Sequence, residues 1–316
     1  MIYYTGTREI SLRSTAVALG KFDGLHKGHQ ILFNKLQQYK AMGYQTVIFT
    51  FDFHPMNLLS GKKQRLIYTK EERRQIIEEM NIDVLIEFPF TMETAHMLPE
   101  DFVKNVLVEK LGAEVIVVGD DFHFGYQRAG DVAFLKTCEA RYGFKVDNCE
   151  KLCIGDREIS ATMARDYVVE GDMEMVRTLL GRPFAVSGTV IRGKGNGRTV
   201  QMPTANIAPH EEKLLPPDGV YATRTRIGDD ETEYDSVTNI GRNPTVADNN
   251  DLRVETFLMH YEGDLYDREI TVDFYCRLRG EVKFENLNAL RAQVAADQVR
   301  AEDYFKALDA GREDGI

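Results

Sequence analysis

Cysteine is scarce in this chain: four in 316 residues, at positions 138, 149, 153 and 276, with no C-x-x-C pair. No second pair or histidine cluster joins Cys149 and Cys153, so a thiolate metal site is disfavoured. The four are expected as buried free thiols of a cytoplasmic protein. Positive charge is also short, 39 Lys and Arg against 50 Asp and Glu, net −11. That disfavours broad nucleic-acid binding and makes any basic site local. No apolar run reaches about 18 residues, so no membrane span is expected. Met1 to Ser11 lacks the basic and apolar regions of a signal peptide. Two nucleotide-binding signatures are missing as well. No G-x-x-x-x-G-K-[ST] follows a strand, and no G-x-G-x-x-G opens the first helix. There is no internal repeat, and nothing in the sequence sets an oligomeric state.

A hydrophobic content of 43% is enough for full cores, and the length suits two domains. The first half alternates in period. Thr46 to Phe51, Val84 to Phe88, Glu114 to Gly119 and Lys145 to Cys153 read as strands. Thr69 to Met80, Pro99 to Lys110 and Asp131 to Tyr142 read as helices, with Thr69 and Glu72 at capping-box spacing. This order predicts a Rossmann-like, doubly wound parallel sheet. Short helices follow around Thr162 to Glu170 and Asp172 to Leu180, and Gly181-Arg182-Pro183 breaks the pattern. The domains are therefore expected at 1–182 and 183–316. In the second, Phe184 to Ile191, Val220 to Ile227, Tyr234 to Ile240, Val254 to Tyr261 and Ile270 to Leu278 read as strands without helices between them. They predict a small antiparallel barrel. A closing helix, Asn286 to Leu308, carries Leu287, Leu290, Val294 and Val299 as an apolar stripe.

The chemistry concentrates first in Gly20-Lys21-Phe22-Asp23-Gly24-Leu25-His26-Lys27-Gly28-His29. An apolar strand, Ala16 to Leu19, precedes it, and Ile31, Leu32, Leu36, Tyr39 and Met42 continue at helical spacing. A strand, a glycine turn and a helix start present free backbone N–H groups and the positive end of a helix dipole to an anion. His26 and His29, three apart, share one face of the first turn. This pattern resembles the HxGH nucleotidyltransferases, and the resemblance implies that both imidazoles hold a nucleoside triphosphate.

Two more segments accompany it. Val118-Gly119-Asp120-Asp121-Phe122-His123-Phe124-Gly125 leaves a strand into a loop. Its aromatics either line a flat ring or plug the core, and on these residues alone the plug leads. Ser160, Thr162 and Arg165 begin a helix; they suit a cap or a bound phosphate equally. Together with Thr50-Phe51-Asp52-Phe53-His54-Pro55, and in this order, residues 14 to 182 resemble the FMN adenylyltransferase domain of the bacterial bifunctional riboflavin kinase/FAD synthetases. The resemblance implies ATP and FMN as substrates, FAD and pyrophosphate as products, and Mg²⁺ as cofactor. By it, Gly20, Phe22, Asp23, Gly24, His26, His29, Ser160, Thr162 and Arg165 bind ATP, and Asp121, Phe122 and Phe124 face the flavin. The family usually has a second Ser where this chain has Ala161.

In the second half, Arg192 to Arg198 is a local basic, glycine-rich loop suited to a polyphosphate. Pro203-Thr204-Ala205-Asn206 follows; Thr204 and Asn206 offer neutral oxygens to a hard cation, or form a plain turn. Glu255, among Val254, Phe257 and Leu258, suits a general base or an outward strand carboxylate. With Asn239-Ile240-Gly241-Arg242-Asn243-Pro244-Thr245, Asp264-Leu265-Tyr266 and Leu278-Arg279, this set resembles the riboflavin kinase domain over residues 183 to 308. The resemblance implies a six-stranded barrel, Glu255 as acceptor of the ribityl 5′-hydroxyl proton, and Thr204 and Asn206 as holders of Mg²⁺–ATP. It also implies Gly193, Lys194, Gly197 and Arg198 over the phosphates. Gln201, Met202, Phe257 and Asp267 depart from the family pattern. They open an alternative, a flavin-binding regulator with one degenerate domain. Small molecules (ATP, riboflavin, FMN) are the partners implied in the lead reading, with no nucleic acid and no membrane.

Overall fold

The computed structural model describes residues 1–52, 65–192, 204–228, 230, 232–242 and 252–313. By contacts the chain divides into two compact units, Met1–Ala161 and Thr162–Ile316. The break in contacts thus falls earlier in the chain than the change from helix to strand at 182/183.

Six parallel strands make the sheet of the first unit: β1 (Ile2–Thr5), β2 (Thr15–Leu19), β3 (Gln45–Phe51), β4 (Val84–Phe88), β5 (Ala113–Gly119) and β6 (Lys145–Cys149). Their spatial order is β1-β4-β3-β2-β5-β6. The chain steps outward from β2 through β3 to β4, then returns to place β5 on the other side of β2. The winding reverses at β2, and a doubly wound sheet opens its crevice at such a point. All five residues of β2 are buried, as expected of a strand covered on both faces. Val17, Val47, Ile86, Ile116 and Val118 belong to one core cluster.

Side chains cap two of these helix starts. In α1 (Lys27–Ala41) the cap residue is His26, whose side chain makes no capping bond. Ahead of α2 (Lys70–Glu79), Thr69 and Glu72 form the reciprocal capping box read from their spacing. Asp131 caps α3 (Val132–Tyr142), accepting from the Phe134 amide at 2.7 Å. Two expectations are corrected here. The helix at 99–110 is a turn, Pro99–Asp101, running into a π-helix, Phe102–Val108. The strand expected to reach Cys153 stops at Cys149, and Cys153–Ile154 pairs instead with Arg157–Glu158 as a small hairpin. Of the free cysteines, 138 and 149 are buried as expected, whereas 153 is exposed and 276 half-buried.

The second unit begins with α4 (Ala161–Glu170), whose first residue closes the unit before, and α5 (Met173–Leu180). Then come β7 (Phe184–Ile191), β8 (Ala205–Ile207), β9 (Gly219–Ile227), β10 (Tyr234–Arg242), β11 (Leu252–Leu258) and β12 (Glu269–Arg279). They close into an antiparallel barrel in the order β7-β8-β11-β10-β9-β12. A closed barrel leaves no unpaired edge. The terminal helix α6 (Leu287–Glu313) packs on β9, β10 and β12.

The apolar stripe expected on α6 is also corrected. Leu287 and Val299 are 52% and 57% exposed. The buried face carries Asp297, Ala301 and Phe305 instead. Asp297 is 1% exposed because Arg279, at the end of β12, grips it with three hydrogen bonds of 2.8 to 3.1 Å. Gln293 adds another at 2.9 Å. Farther along, Arg224 on β9 bonds Asp309 at 2.6 Å and lies 4.6 Å from the Phe305 ring. Removing one partner of a buried ion pair strands the other charge. Asp297→Ala is therefore expected to cost about 3 kcal/mol, read as a lower midpoint in urea unfolding followed by circular dichroism. An unchanged midpoint would mean that apolar packing alone seats α6.

Candidate functional site

The chain leaves β2 at Gly20, whose N–H donates to the Phe49 carbonyl at 3.3 Å. Phe22, Gly24 and Leu25 then take positive φ values of 49°, 81° and 42°. Two non-glycine residues in that region mark a turn held by its surroundings. Phe22 and Leu25 are both fully buried, which supplies the hold. The Phe22 ring lies edge-on to His29 at 5.1 Å and against Phe33 at 5.3 Å. Its side chain thus supports His29 from behind. Asp23 is buried at the same turn.

His26 is the cap residue of α1, yet its side chain makes no capping bond. Its carbonyl does that work, accepting from the amides of His29 at 2.8 Å and Gln30 at 3.2 Å. The two imidazoles stack at 3.7 Å with 23° between planes. Gly28 makes this possible. A Cβ there would stand 3.0 Å from His26 Nδ1 and 3.1 Å from its Cε1, tight enough to push the ring aside by a few tenths of an ångström. Both Nδ1 atoms are buried and have no hydrogen-bond partner in the protein. Burial pushes the His26 pKa down to about 4, against a smaller opposing pull from the Asp121 carboxylate. Burial, and then His26, hold His29 well below the usual imidazole range. Both rings are neutral at pH 7 and each keeps an uncommitted ring nitrogen.

The Asp121 carboxylate is therefore brought within electrostatic reach of His26, and it also pairs with Lys151 at 3.5 Å. Phe122 and Phe124 stack at 5.6 Å. Phe124 belongs to the core, packed on Phe102 and over Gly130, while Phe122 is half-buried beside it. The plug reading thus holds for Phe124. Ser160 directly precedes α4, and the carbonyl of its neighbour Ile159 faces Gly28. Thr162, exposed, and Arg165, half-buried, lie in the first turns of α4 and belong to the second unit.

In the barrel, strand pairing builds a second constellation. Asn206 on β8 and Asn239 on β10 both stand in register with Glu255 on β11. The three side chains form a row across three strands on the face away from the barrel interior, where Thr256 and Val254 are fully buried. Burial raises the Glu255 pKa, with Arg253 opposing. Asn206 donates to the Thr204 carbonyl at 3.3 Å and lies 3.5 Å from the Thr204 hydroxyl. Its own Oδ1 is buried with no protein donor. Among the described residues no group of three His, Cys, Asp or Glu gathers as a metal cluster. Asn239 was not singled out from the sequence; its only signal was its place in the Asn239 to Thr245 segment. Glu281 was also missed, and its carboxylate crowds Gly241 beside Asn239. Gly193, Lys194, Gly197 and Arg198, like Gln201, Met202 and residues 53–55, lie outside the described residues.

Known proteins agree with this two-part reading. Residues 9–163 match a family model described as FAD synthetase, and residues 180–305 one described as riboflavin kinase. The bifunctional riboflavin kinase/FMN adenylyltransferase of Escherichia coli strain K12 is 33% identical over 92% of this chain and 92% of its own. That of Haemophilus influenzae is 32% identical over 94% and 96%. A solved structure described as a macrolide-efflux protein from Streptococcus pneumoniae matches with a TM-score of 0.85 at 25% identity, over 95% of this chain and 98% of that one. Among the described residues, no helix is long and apolar enough to cross a membrane.

The stacked imidazoles set a pH dependence. The unfolded chain takes a proton on His26 near pH 6.5, the folded chain only near 4. Stability is thus intact above 6.5 and is lost as pH falls toward 4, by about 3 kcal/mol from this group. A nuclear magnetic resonance titration of the His26 ring is expected to show a midpoint near 4. A midpoint near 6.5 would mean the ring is open to water.

Proposed function

The chain belongs to the bifunctional riboflavin kinase/FMN adenylyltransferase family, and from that membership we propose which of its residues perform each reaction. It is an enzyme of flavin cofactor biosynthesis that phosphorylates riboflavin to FMN and adenylylates FMN to FAD. The observation that carries the division of labour is the separation of the two constellations. His26, His29 and Asp121 lie within residues 1–161, and Asn206, Asn239 and Glu255 within 162–316. We keep 182/183 as the functional boundary, since the kinase match begins at residue 180.

In the first unit an FMN phosphate oxygen attacks the α-phosphorus of ATP, and pyrophosphate leaves with the electron pair of the broken bond. No covalent enzyme intermediate is needed. His26 and His29 donate N–H bonds to oxygens whose charge grows in that step, with the N-terminus of α1 behind them. Neutral imidazoles suit this role, since each offers a donor without demanding a buried charge. Gly20, Gly24 and Asp23 shape the turn, and Ser160, directly before α4, offers a hydroxyl to the phosphates. Asp121 and Phe122 face the flavin; Phe124 supports them from the core.

In the second unit Glu255 accepts the proton of the ribityl 5′-hydroxyl as that oxygen attacks the γ-phosphorus of ATP. Burial makes its carboxylate more basic than an exposed one. Asn206 and Asn239 flank it and orient the hydroxyl. Thr204 and Asn206 fit Mg²⁺, because the unpartnered Asn206 Oδ1 and a nearby hydroxyl are neutral oxygens of the type that ion takes alongside water. When bound, the ion offsets charge on the ATP phosphates. Phe257, a departure from the family pattern, packs against the cluster of Ala301 and Phe305, so its substitution serves the α6 interface.

Two variants test the assignment. His29→Ala is expected to lower FAD formation from FMN by about a hundredfold and to leave FMN formation within about twofold. Glu255→Gln is expected to lower FMN formation by about a hundredfold or more and to spare FAD formation from added FMN. Both are read by chromatography of flavins after incubation with ATP and Mg²⁺. Loss of both products in either variant would refute separate sites.

A further inference from the structure

Five hydroxyls sit fully buried in the barrel interior: Thr223 and Thr225 on β9, Ser236 and Thr238 on β10, and Thr256 on β11. They close a ring. Thr223 lies 2.7 Å from Thr238, Thr238 donates to Thr256 at 2.9 Å, Thr256 lies 3.4 Å from Thr225, and Thr225 lies 2.8 Å from Ser236. Ser236 returns to Thr223, 2.9 Å from its hydroxyl, and donates to its carbonyl at 2.9 Å. Thr238 gives its hydrogen to Thr256, and Ser236 spends its one hydrogen on the Thr223 carbonyl. In the same sense Thr223 gives to Thr238, Thr256 to Thr225 and Thr225 to Ser236, so every hydroxyl hydrogen has an acceptor without water.

Thr256 is the only member on β11, and it is the neighbour of Glu255. Side chains alternate along a strand, so a slip of one residue would turn Glu255 inward and Thr256 outward. Such a slip would bury a carboxylate among the hydroxyls and leave Thr238 and Thr225 short of a partner. The ring thereby ties the register of β11 to β9 and β10. We infer that the buried hydroxyl ring, through Thr256, is a positioning device that fixes Glu255 opposite Asn206 and Asn239. Thr256 is fully buried inside the barrel and acts through Glu255, so it is a positioning residue.

This inference rests on Glu255 being the base. Thr256→Val keeps the shape of the side chain and removes its hydroxyl. In the full chain it is expected to lower kcat for FMN formation by about tenfold or more, with KM for ATP within about twofold. FAD formation from added FMN reports the first unit and is expected to be unchanged. Thr256→Ser, which restores the hydroxyl, is expected to recover most of kcat. Should Thr256→Val fail to fold, Thr225→Val opens the ring at its longest contact and is expected to lower kcat in the same direction. Unchanged kcat with a lower melting temperature would overturn the inference and leave the ring purely structural. Failure of Thr256→Ser to recover kcat would overturn it too. If Glu255→Gln retains FMN formation, the base assignment itself falls. If Glu255→Gln loses it while Thr256→Val does not, only the positioning role falls.

Discussion

A strand sends alternate side chains to opposite faces, and both units of this protein arrange their chemistry around that constraint. In the first unit helices cover both faces of the parallel sheet. β2 therefore has no face to spare and is buried throughout. Reactive groups have to wait for the strand to end, and they gather in the turn from Gly20 to His29. In the second unit the barrel has an inside and an outside. Glu255, Asn206 and Asn239 occupy outward positions in the middle of their strands, and a core residue sits one step away on either side of Glu255. In the proposed assignment, one unit thus places its site at a strand terminus and the other within the strands.

The electrostatics differ in the same way. The imidazoles of His26 and His29 are packed so closely, and so far from water, that neither carries charge at neutral pH. In the proposed role their contribution is directional, from N–H groups and the start of α1. Burial raises the Glu255 pKa, with Arg253 opposing. A desolvated carboxylate is a better proton acceptor, which suits the proposed attack by an unactivated hydroxyl.

Much of this was legible in the sequence, for local reasons. The turn at Gly20 to His29 was readable because an apolar strand precedes it and a helical period follows. Thr69 and Glu72 announced a helix start by spacing alone. Other features depend on residues far apart in the chain. β8 is three residues long, too short for any period, and exists because β7 and β11 pair with it. Asn239 joined the site only through register with Glu255. The face of α6 was misjudged because Asp297 is buried by Arg279, a partner eighteen positions away that no apolar pattern reveals. Phe124 sits in the core because Gly130 has no side chain to obstruct its ring.

The hydroxyls inside the barrel have a consequence for how its strands can slide. Valine is close to threonine in volume, so an interior of the same shape could be filled by methyl groups alone. A methyl packs against whichever neighbour arrives, whereas Thr238 needs Thr256 and Ser236 needs the Thr223 carbonyl. An all-apolar interior would tolerate strands shifted along one another; this one counts residues.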